Sequence, residues 1–249
     1  MSGGTEAERN CAGSRTLLPE MSSDDSSRRA ELIRRIKSIA RDEVSEQGAA
    51  KLSLSRIARR LEMTTPALYR YFDSRDELVT ALVVDAYSEL GDVVESALDG
   101  IDKNDLAARY DAFTTAYRRW ALAHPQDYIL IHGAVVPGYK APVERVATAT
   151  FRVILSFVEL LMDAERLGRL HLPPGFERLP DDLARVLVPV GDIPPRLLTL
   201  AFFIWLELHS LVWQEIAGHL PPAIFEEGTL FRFHMQSVGQ RLGLLQPAS

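Results

Sequence analysis

Apolar residues recur at steps of three and four along most of this sequence, and that spacing decides the fold class. Residues at such steps share one face of an α-helix, whereas a half-buried β-strand needs strict alternation. No run of alternation of any length occurs. One helical stripe comprises Leu106, Tyr110, Phe113, Tyr117 and Trp120. The sequence therefore predicts an all-α protein.

The basic residues are concentrated in one segment, although the whole chain carries a net charge of −6. Residues 28–75 hold 12 Lys/Arg against 6 Asp/Glu, residues 1–27 hold 2 against 5, and residues 76–249 hold 14 against 23. A basic segment attracts phosphate, and an acidic remainder would repel it and so orient the protein. A merely solvated basic face is the alternative that charge alone leaves open.

The single cysteine, Cys11, excludes a disulfide framework and a cysteine metal cluster within one chain, which fits a reducing cytoplasm. His124, His132 and His171 lack a metal-ligand spacing, so we expect neither a metal nor another cofactor. We also find no nucleophile–base pair and no phosphate-binding loop. An all-helical enzyme is therefore the least favoured functional reading.

Neither the N-terminal segment nor the most apolar run predicts a membrane protein. Residues 1–27 have no apolar stretch of signal-peptide length and are predicted to form a disordered polar tail, with Met21 as an alternative start. The run 197–213 has 17 residues and is interrupted by Glu207 and His209. It is too short and too polar for a membrane span, so we expect a buried helix in a cytoplasmic protein.

Start and stop signals divide the chain into helices and two structured domains. The expected helices cover residues 28–47, a short stretch after Ser53, 66–72, 74–97, about 106–123, 142–168, 195–218 and 226–242, with one further turn at 181–187. Gly48 should end the first helix, Pro66 should open the third with Thr65 as its cap, and Ser74 with Glu77 forms a capping box. The domains are residues 28–75 and 76–249.

The short second and third helices, joined by a tight turn and rich in arginine, indicate a helix-turn-helix. Apolar residues on their facing sides would fix the angle between them: Leu54, Ile57, Ala58, Leu61, Leu68 and Phe72. The outward face of the third helix then carries Thr64, Thr65, Tyr69 and Arg70. An α-helix fits the major groove, where such side chains reach base edges and phosphates.

These residues resemble the TetR family of regulators. The resemblance rests on the run from Leu54 to Leu61, with its Ile-Ala pair, and on Leu68-Tyr69-Arg70-Tyr71-Phe72 followed by Asp73 to Leu78; it covers about residues 28–80. It implies a homodimer of about nine helices, with an N-terminal three-helix DNA-binding domain and a helical ligand-binding and dimerisation domain. It also implies a repressor that a small molecule releases from double-stranded DNA.

The same resemblance implies roles for individual residues. Thr64, Thr65, Ala67 and Tyr69 match positions that face DNA, Tyr71 and Arg75 match positions that touch phosphates, and Ser53 and Ser55 match backbone contacts. For Tyr69, packing against Arg59 or Arg60 is the alternative to DNA contact. Glu62 stands where the family often has glycine, which costs up to about 1 kcal/mol if the position needs a positive φ.

The remainder resembles a C-terminal domain type of this family that carries a Trp-x-x-x-His-Gly signature. Trp205 and His209 match it, Ser210 replaces the glycine, and the stretch 124–128 also fits. Candidate contacts for an apolar or aromatic effector are Tyr117, Trp120, Tyr128, His132, Trp205 and His209. Ordinary core packing is the alternative for each of them.

The last two helices, 195–218 and 226–242, are expected to form a dimer interface, since the first of them is apolar around much of its circumference. A symmetric pair of reading helices doubles the contacts with a palindromic operator. The leading hypothesis is a repressor released by its effector, and the alternative is a constitutive DNA-binding regulator that has no effector.

Overall fold

The computed structural model describes residues 23–132, 138–176, 193–218 and 228–246. Within those ranges every regular element is helical and no strand occurs, which confirms the predicted fold class. The helices are α1 Ser23–Gln47, α2 Leu54–Arg60, α3 Thr65–Tyr69, α4 Arg75–Leu98, α5 Leu106–Ala123, α6 Pro125–His132, α7 Val143–Arg166, α8 Pro195–Ala217 and α9 Thr229–Arg241. The predicted turn at 181–187 and residues 1–22 of the predicted tail lie outside the described residues.

Helix α1 begins at Ser23, five residues earlier than the predicted start at 28. Residues 23–27 therefore belong to a helix, and the tail boundary predicted at 27 is wrong. Asp24 and Asp25 lie in the first turn, where carboxylates interact favourably with the helix dipole. Asp24 also pairs with Arg28 one turn later, at 2.7 Å. The helix ends before Gly48, whose φ of 81° confirms the predicted stop.

The turn between α2 and α3 differs from its prediction in two details. The cap of α3 is Thr64 rather than Thr65, because the Thr64 hydroxyl accepts a hydrogen bond from the Ala67 amide at 3.4 Å. Helix α3 also ends at Tyr69 instead of Phe72. Glu62 has a φ of 56° and is the one non-glycine residue with positive φ in the described part of the chain.

Helix α4 joins two hydrophobic cores. Its first turns pack with α1, α2 and α3 through Leu78 and Leu82, while Leu90 and Val94 belong to the core of the larger C-terminal body. The predicted capping box is present in its Ser74 half, since the Ser74 hydroxyl accepts a hydrogen bond from the Glu77 amide at 3.1 Å. One rigid helix therefore connects the N-terminal three-helix unit to the body.

Helix α8 is the most apolar element, and it packs against α5, α7 and α9. Among the described helices it alone has the length and hydropathy that a membrane span requires. The complete helix has 23 residues, so it is longer than the 17-residue run 197–213 that was predicted to be too short. One face of α8 nevertheless lies in the body core, through Leu197, Leu200, Ala201, Ile204, Leu208 and Val212. That packing is the arrangement expected of a buried helix in a soluble core.

Candidate functional site

Helices α2 and α3 form a compact wedge at one end of the molecule. Ile57 and Leu68 are fully buried where the two helices meet, and Ala58 and Phe72 close the same core. A second support comes from α1, because Glu43 is buried and its carboxylate accepts hydrogen bonds from the Arg56 guanidinium at 3.4 Å. The wedge is therefore held on α1 by apolar packing together with a partly buried ion pair.

The predicted contact residues of the wedge lie along one surface. Tyr69 is 46% exposed, and Thr64 and Arg70 are exposed beside it. In the described part of the chain, the Tyr69 side chain makes no hydrogen bond, ring contact or cation–π contact, and packing on Arg59 or Arg60 stays the alternative to DNA contact. The other predicted residues are exposed or half-buried: Ser53, Ser55, Thr65, Ala67, Tyr71 and Arg75.

Several of these side chains already have partners within the protein. The Thr64 hydroxyl caps α3, and the Arg75 guanidinium lies 3.1 Å from the Asp76 carboxylate. Ser53 stands at the N-cap of α2 but makes no capping hydrogen bond with its side chain. Among the described residues the Ser53 hydroxyl has no hydrogen-bond partner, whereas Arg75 would have to share its charge between Asp76 and a phosphate.

The cations of the basic segment fall into two groups. Seven of the twelve Lys/Arg in residues 28–75 pair with carboxylates: Arg28, Arg34, Lys37, Arg41, Arg56, Arg60 and Arg75. The other five have no carboxylate partner among the described residues: Arg29, Arg35, Lys51, Arg59 and Arg70. The second group leaves positive charge available to an external anion such as the phosphate backbone.

The body contains an aromatic and histidine cluster, in which Tyr117 and Tyr128 are buried and His132, Trp205 and His209 are half-buried. The Tyr128 hydroxyl lies 2.6 Å from Nδ1 of His209, and the Tyr117 hydroxyl lies 3.3 Å from Nε2 of His132. The two hydroxyls are 3.4 Å apart. The His132 and His209 rings have centroids 4.5 Å apart, and Trp205 stacks on His209 at 5.2 Å. Five of the six predicted effector residues are thus brought together.

Both histidines of the cluster are held in the neutral form. Burial, together with the smaller effect of the neighbouring His209, lowers the pKa of His132 to about 3. Burial also lowers the pKa of His209. Because burial disfavours the charged state, the cluster at neutral pH is an uncharged hydrogen-bonding surface with aromatic walls.

Trp120, the sixth predicted effector residue, lies apart from this cluster. It is buried in the core against the His124 ring, with centroids 5.4 Å apart, and no partner for its indole N–H is found in the described ranges. Sequence reasoning missed Tyr87 on α4, whose ring meets His132 at 5.9 Å and whose hydroxyl donates to the Ile131 carbonyl. No local signal identifies Tyr87, because the cluster is assembled from four separate helices.

Two cavities in the described part of the body differ greatly in size. A void of about 10 Å³, next to Trp205 and between α5, α7 and α8, has room for about one water molecule. A cavity of about 410 Å³ lies between residues 172–176, α8 and α9, with Phe176, Phe203 and Val238 in its wall. The larger volume is within the range of small-molecule sites. The sequence did not reveal it, since its walls come from three distant segments.

Helix α6 links the cluster to the N-terminal unit. One side of this eight-residue helix contributes Tyr128 and His132 to the cluster, while Asp127 lies 3.7 Å from the Arg41 guanidinium on α1. Burial raises the pKa of the Asp127 carboxyl and Arg41 opposes that rise. A displacement of α6 would therefore change contacts both in the cluster and with α1.

Comparison with known proteins identifies the family. The family model described as bacterial regulatory proteins, tetR family, matches residues 36–82, and the model described as a tetracyclin repressor-like C-terminal domain matches residues 110–238. The chain belongs to the TetR family. It is a DNA-binding transcriptional regulator with an N-terminal helix-turn-helix domain and a helical C-terminal domain.

Curated relatives and solved structures agree with this assignment. HTH-type transcriptional regulator Rv1816 of Mycobacterium tuberculosis is 34% identical over 193 residues, which cover 76% of this chain and 82% of that protein. The same values hold for the regulator Mb1846 of Mycobacterium bovis. The solved structure of SCO4313 has a TM-score of 0.69 and 32% identity, and the match covers 86% of this TetR-family chain and 97% of that one. A tetR family regulator from Shewanella sp. PV-4 shares the fold, with a TM-score of 0.55, 16% identity and coverage of 83% and 92%.

Proposed function

We propose that this TetR-family regulator is a cytoplasmic repressor that binds a palindromic operator as a homodimer and is released by a small apolar or aromatic effector. The observation that carries the proposal is the surface of α3, where Tyr69 is 46% exposed and Arg70 has no carboxylate partner among the described residues. An exposed aromatic ring beside an unneutralised arginine suits contact with bases and phosphates.

The dimer part of the proposal is supported by an apolar face on the last two helices. Large apolar side chains are 40–71% exposed there: Phe202, Phe203 and Leu206 on α8, and Phe233 on α9. A second copy of the chain would remove this face from water. The mass in solution tests this point, because a species of 27.8 kDa at micromolar concentration would contradict it.

The effector part is supported by the cluster and by its connections. An effector that replaces the Trp205–His209 stacking would move α6. Helix α6 contacts α1 through Asp127, which faces Arg41, and it contacts α4 through the ring of Tyr87. Helix α4 sets the spacing of the two reading helices because it belongs to both cores. An effector that binds more tightly to the wrongly spaced form lowers DNA affinity by that difference in binding free energy.

The experiment for the DNA-reading surface is a gel shift with Tyr69→Ala on DNA from the regulator's own promoter region. We expect affinity to fall by at least tenfold, since base and phosphate contacts of this kind contribute about 1–3 kcal/mol each. The matched control is Phe151→Ala, which removes a 38% exposed ring from α7 in the body. Equal affinities for Tyr69→Ala and Phe151→Ala, with both variants folded, would contradict the proposal.

A constitutive regulator without an effector is the second candidate, and one observation favours it. The void next to Trp205 holds about 10 Å³, which is far too small for an effector molecule. A thermal-shift screen with small aromatic compounds separates the two readings. A compound that raises the Tm and also weakens operator binding supports release by an effector, whereas no shift with any compound class supports the constitutive reading.

A further inference from the structure

The first turns of α1 lie against the C-terminal end of the reading helix α3. The Arg29 guanidinium carbon is 4.9 Å from the centre of the Tyr71 ring, so the cation lies over the face of the ring. Nη2 of Arg29 is also 3.5 Å from the Arg70 carbonyl oxygen. A segment 41 residues earlier in the sequence thus supplies a cation to the edge of the DNA-facing surface.

Arg29 differs from two neighbouring arginines on α1, whose charges are paired with carboxylates. Arg28 pairs with Asp24 at 2.7 Å, and Arg34 pairs with Glu31. Arg29 is exposed and has no carboxylate partner among the described residues, and the same holds for Arg70. Arg29 therefore places a guanidinium that has no carboxylate partner in the described ranges next to Arg70 and Tyr71, at the C-terminal end of α3.

The contact with Tyr71 holds the Arg29 guanidinium at the face of the ring. A guanidinium over an aromatic face keeps its N–H groups in its own plane, where they remain free for acceptors at the ring's edge. Phosphate oxygens are the acceptors that arginine binds in pairs, with short charge-assisted hydrogen bonds. The arrangement is thus suited to a phosphate group and carries no base-reading geometry of its own.

Arg29 lies outside the segment that matches the helix-turn-helix family model. The helix-turn-helix match begins at residue 36, seven residues after Arg29, and α1 itself begins at Ser23. The contact between Arg29 and Tyr71 depends on those extra turns of helix. The contact therefore involves a residue that lies before the matched segment.

We propose that Arg29, together with Arg70 and the Tyr71 hydroxyl, forms a phosphate-binding site that engages the DNA backbone next to the groove entered by α3. The proposal rests on the DNA-binding function proposed above and adds α1 as a second contact element. Its role is positional, because a phosphate contact fixes register without reading sequence. The contact should strengthen binding to any duplex.

The test measures how duplex affinity depends on salt for the full-length chain and Arg29→Ala. The probe is a fluorescent 30-base-pair duplex of mixed sequence, titrated between about 50 and 200 mM salt, since phosphate contacts are independent of sequence. The slope of log affinity against log salt should become shallower by about one per lost contact, hence about two for a dimer. Affinity at the lowest salt should fall on the order of tenfold.

Two further variants make the result specific. Arg34→Ala removes the same charge from an exposed α1 residue that is already paired with Glu31, so its slope should stay near the wild-type value. Arg29→Lys keeps the charge but loses the planar fork, and it should recover most of the slope and only part of the affinity. Circular dichroism should show unchanged helix content for all three variants.

The proposal is overturned if Arg29→Ala and Arg34→Ala give the same slope and affinity. A wild-type chain that binds no duplex at low salt would overturn both this site and the repressor proposal. A wild type that binds DNA but responds to no compound would overturn release by an effector and leave the Arg29 site intact. The two failures are therefore distinguishable.

Discussion

The N-terminal wedge and the C-terminal body use their charged side chains in opposite ways. In residues 28–75, which include the wedge, five exposed cations have no carboxylate partner in the described ranges, and Tyr69 is 46% exposed. In the body, two arginines are turned inward and paired: Arg109 pairs with Asp163 at 2.7 Å, and Arg118 pairs with Glu215 at 2.8 Å. The unpaired cations of residues 28–75 are therefore available to an external anion, whereas these two arginines of the body form ion pairs between its own helices.

Histidines divide the two regions in the same way. Residues 23–98 contain no histidine, and all six histidines of the chain lie in the body. Two of them belong to the aromatic and histidine cluster. Near neutral pH the wedge thus has no histidine that titrates, whereas folding of the body is linked to the protonation state of His132 and His209. We therefore expect a falling pH to destabilise the body before it destabilises the wedge.

The largest expected effect is on stability, from removal of an inward arginine. Arg118→Ala leaves the Glu215 carboxylate, which is 5% exposed, without its partner, and also removes the cation over the Phe231 ring. We expect the free energy of unfolding to fall by about 3 kcal/mol, measured by urea denaturation. Arg119→Ala is the control, because Arg119 is exposed on the same helix and should change stability by less than about 0.5 kcal/mol. Similar losses for both variants would remove the distinction between inward and outward arginines.

A smaller effect is expected from pH. The folded pKa of His132, about 3, lies below the ordinary value of 6.5, so the unfolded chain binds more protons between those values. The stability contributed by neutral His132 is fully present above pH 6.5 and is lost as the pH falls towards 3. Between pH 7 and 5 the loss is about 2 kcal/mol from this residue, with an added loss from His209. His132→Gln should flatten that slope in chemical denaturation, and an unchanged slope would contradict the neutral cluster.

The smallest effect concerns the backbone of the wedge. Glu62 has a φ of 56°, a conformation that glycine adopts without steric cost. Glu62→Gly should stabilise the protein by about 0.5–1 kcal/mol, after the greater flexibility of the unfolded chain is subtracted. Thermal unfolding measures this, with Glu46→Gly inside α1 as a control that should be destabilising. A lower Tm for Glu62→Gly would show that the side chain, not the turn, matters at this position.

Short-range signals predicted the wedge well, and they failed where two neighbouring residues have the same chemistry. Ser74 caps α4 as predicted, and Gly48 ends α1. Thr64 and Thr65 are equivalent in sequence, and only the position of the Ala67 amide selects Thr64 as the cap. The start of α1 was misplaced because a polar run rich in serine and aspartate can equally be a tail or the exposed first turns of a helix.

The sequence by itself determined the helical fold, the two-helix wedge and the separation of basic and acidic regions, because periodicity, caps and charge are local properties of the chain. The tertiary structure alone decided which aromatic residues meet. Tyr117, Tyr128, His132 and His209 come together while Trp120 does not, and Arg29 reaches Tyr71. Such contacts depend on how helices distant in sequence are placed against one another, which no local spacing records.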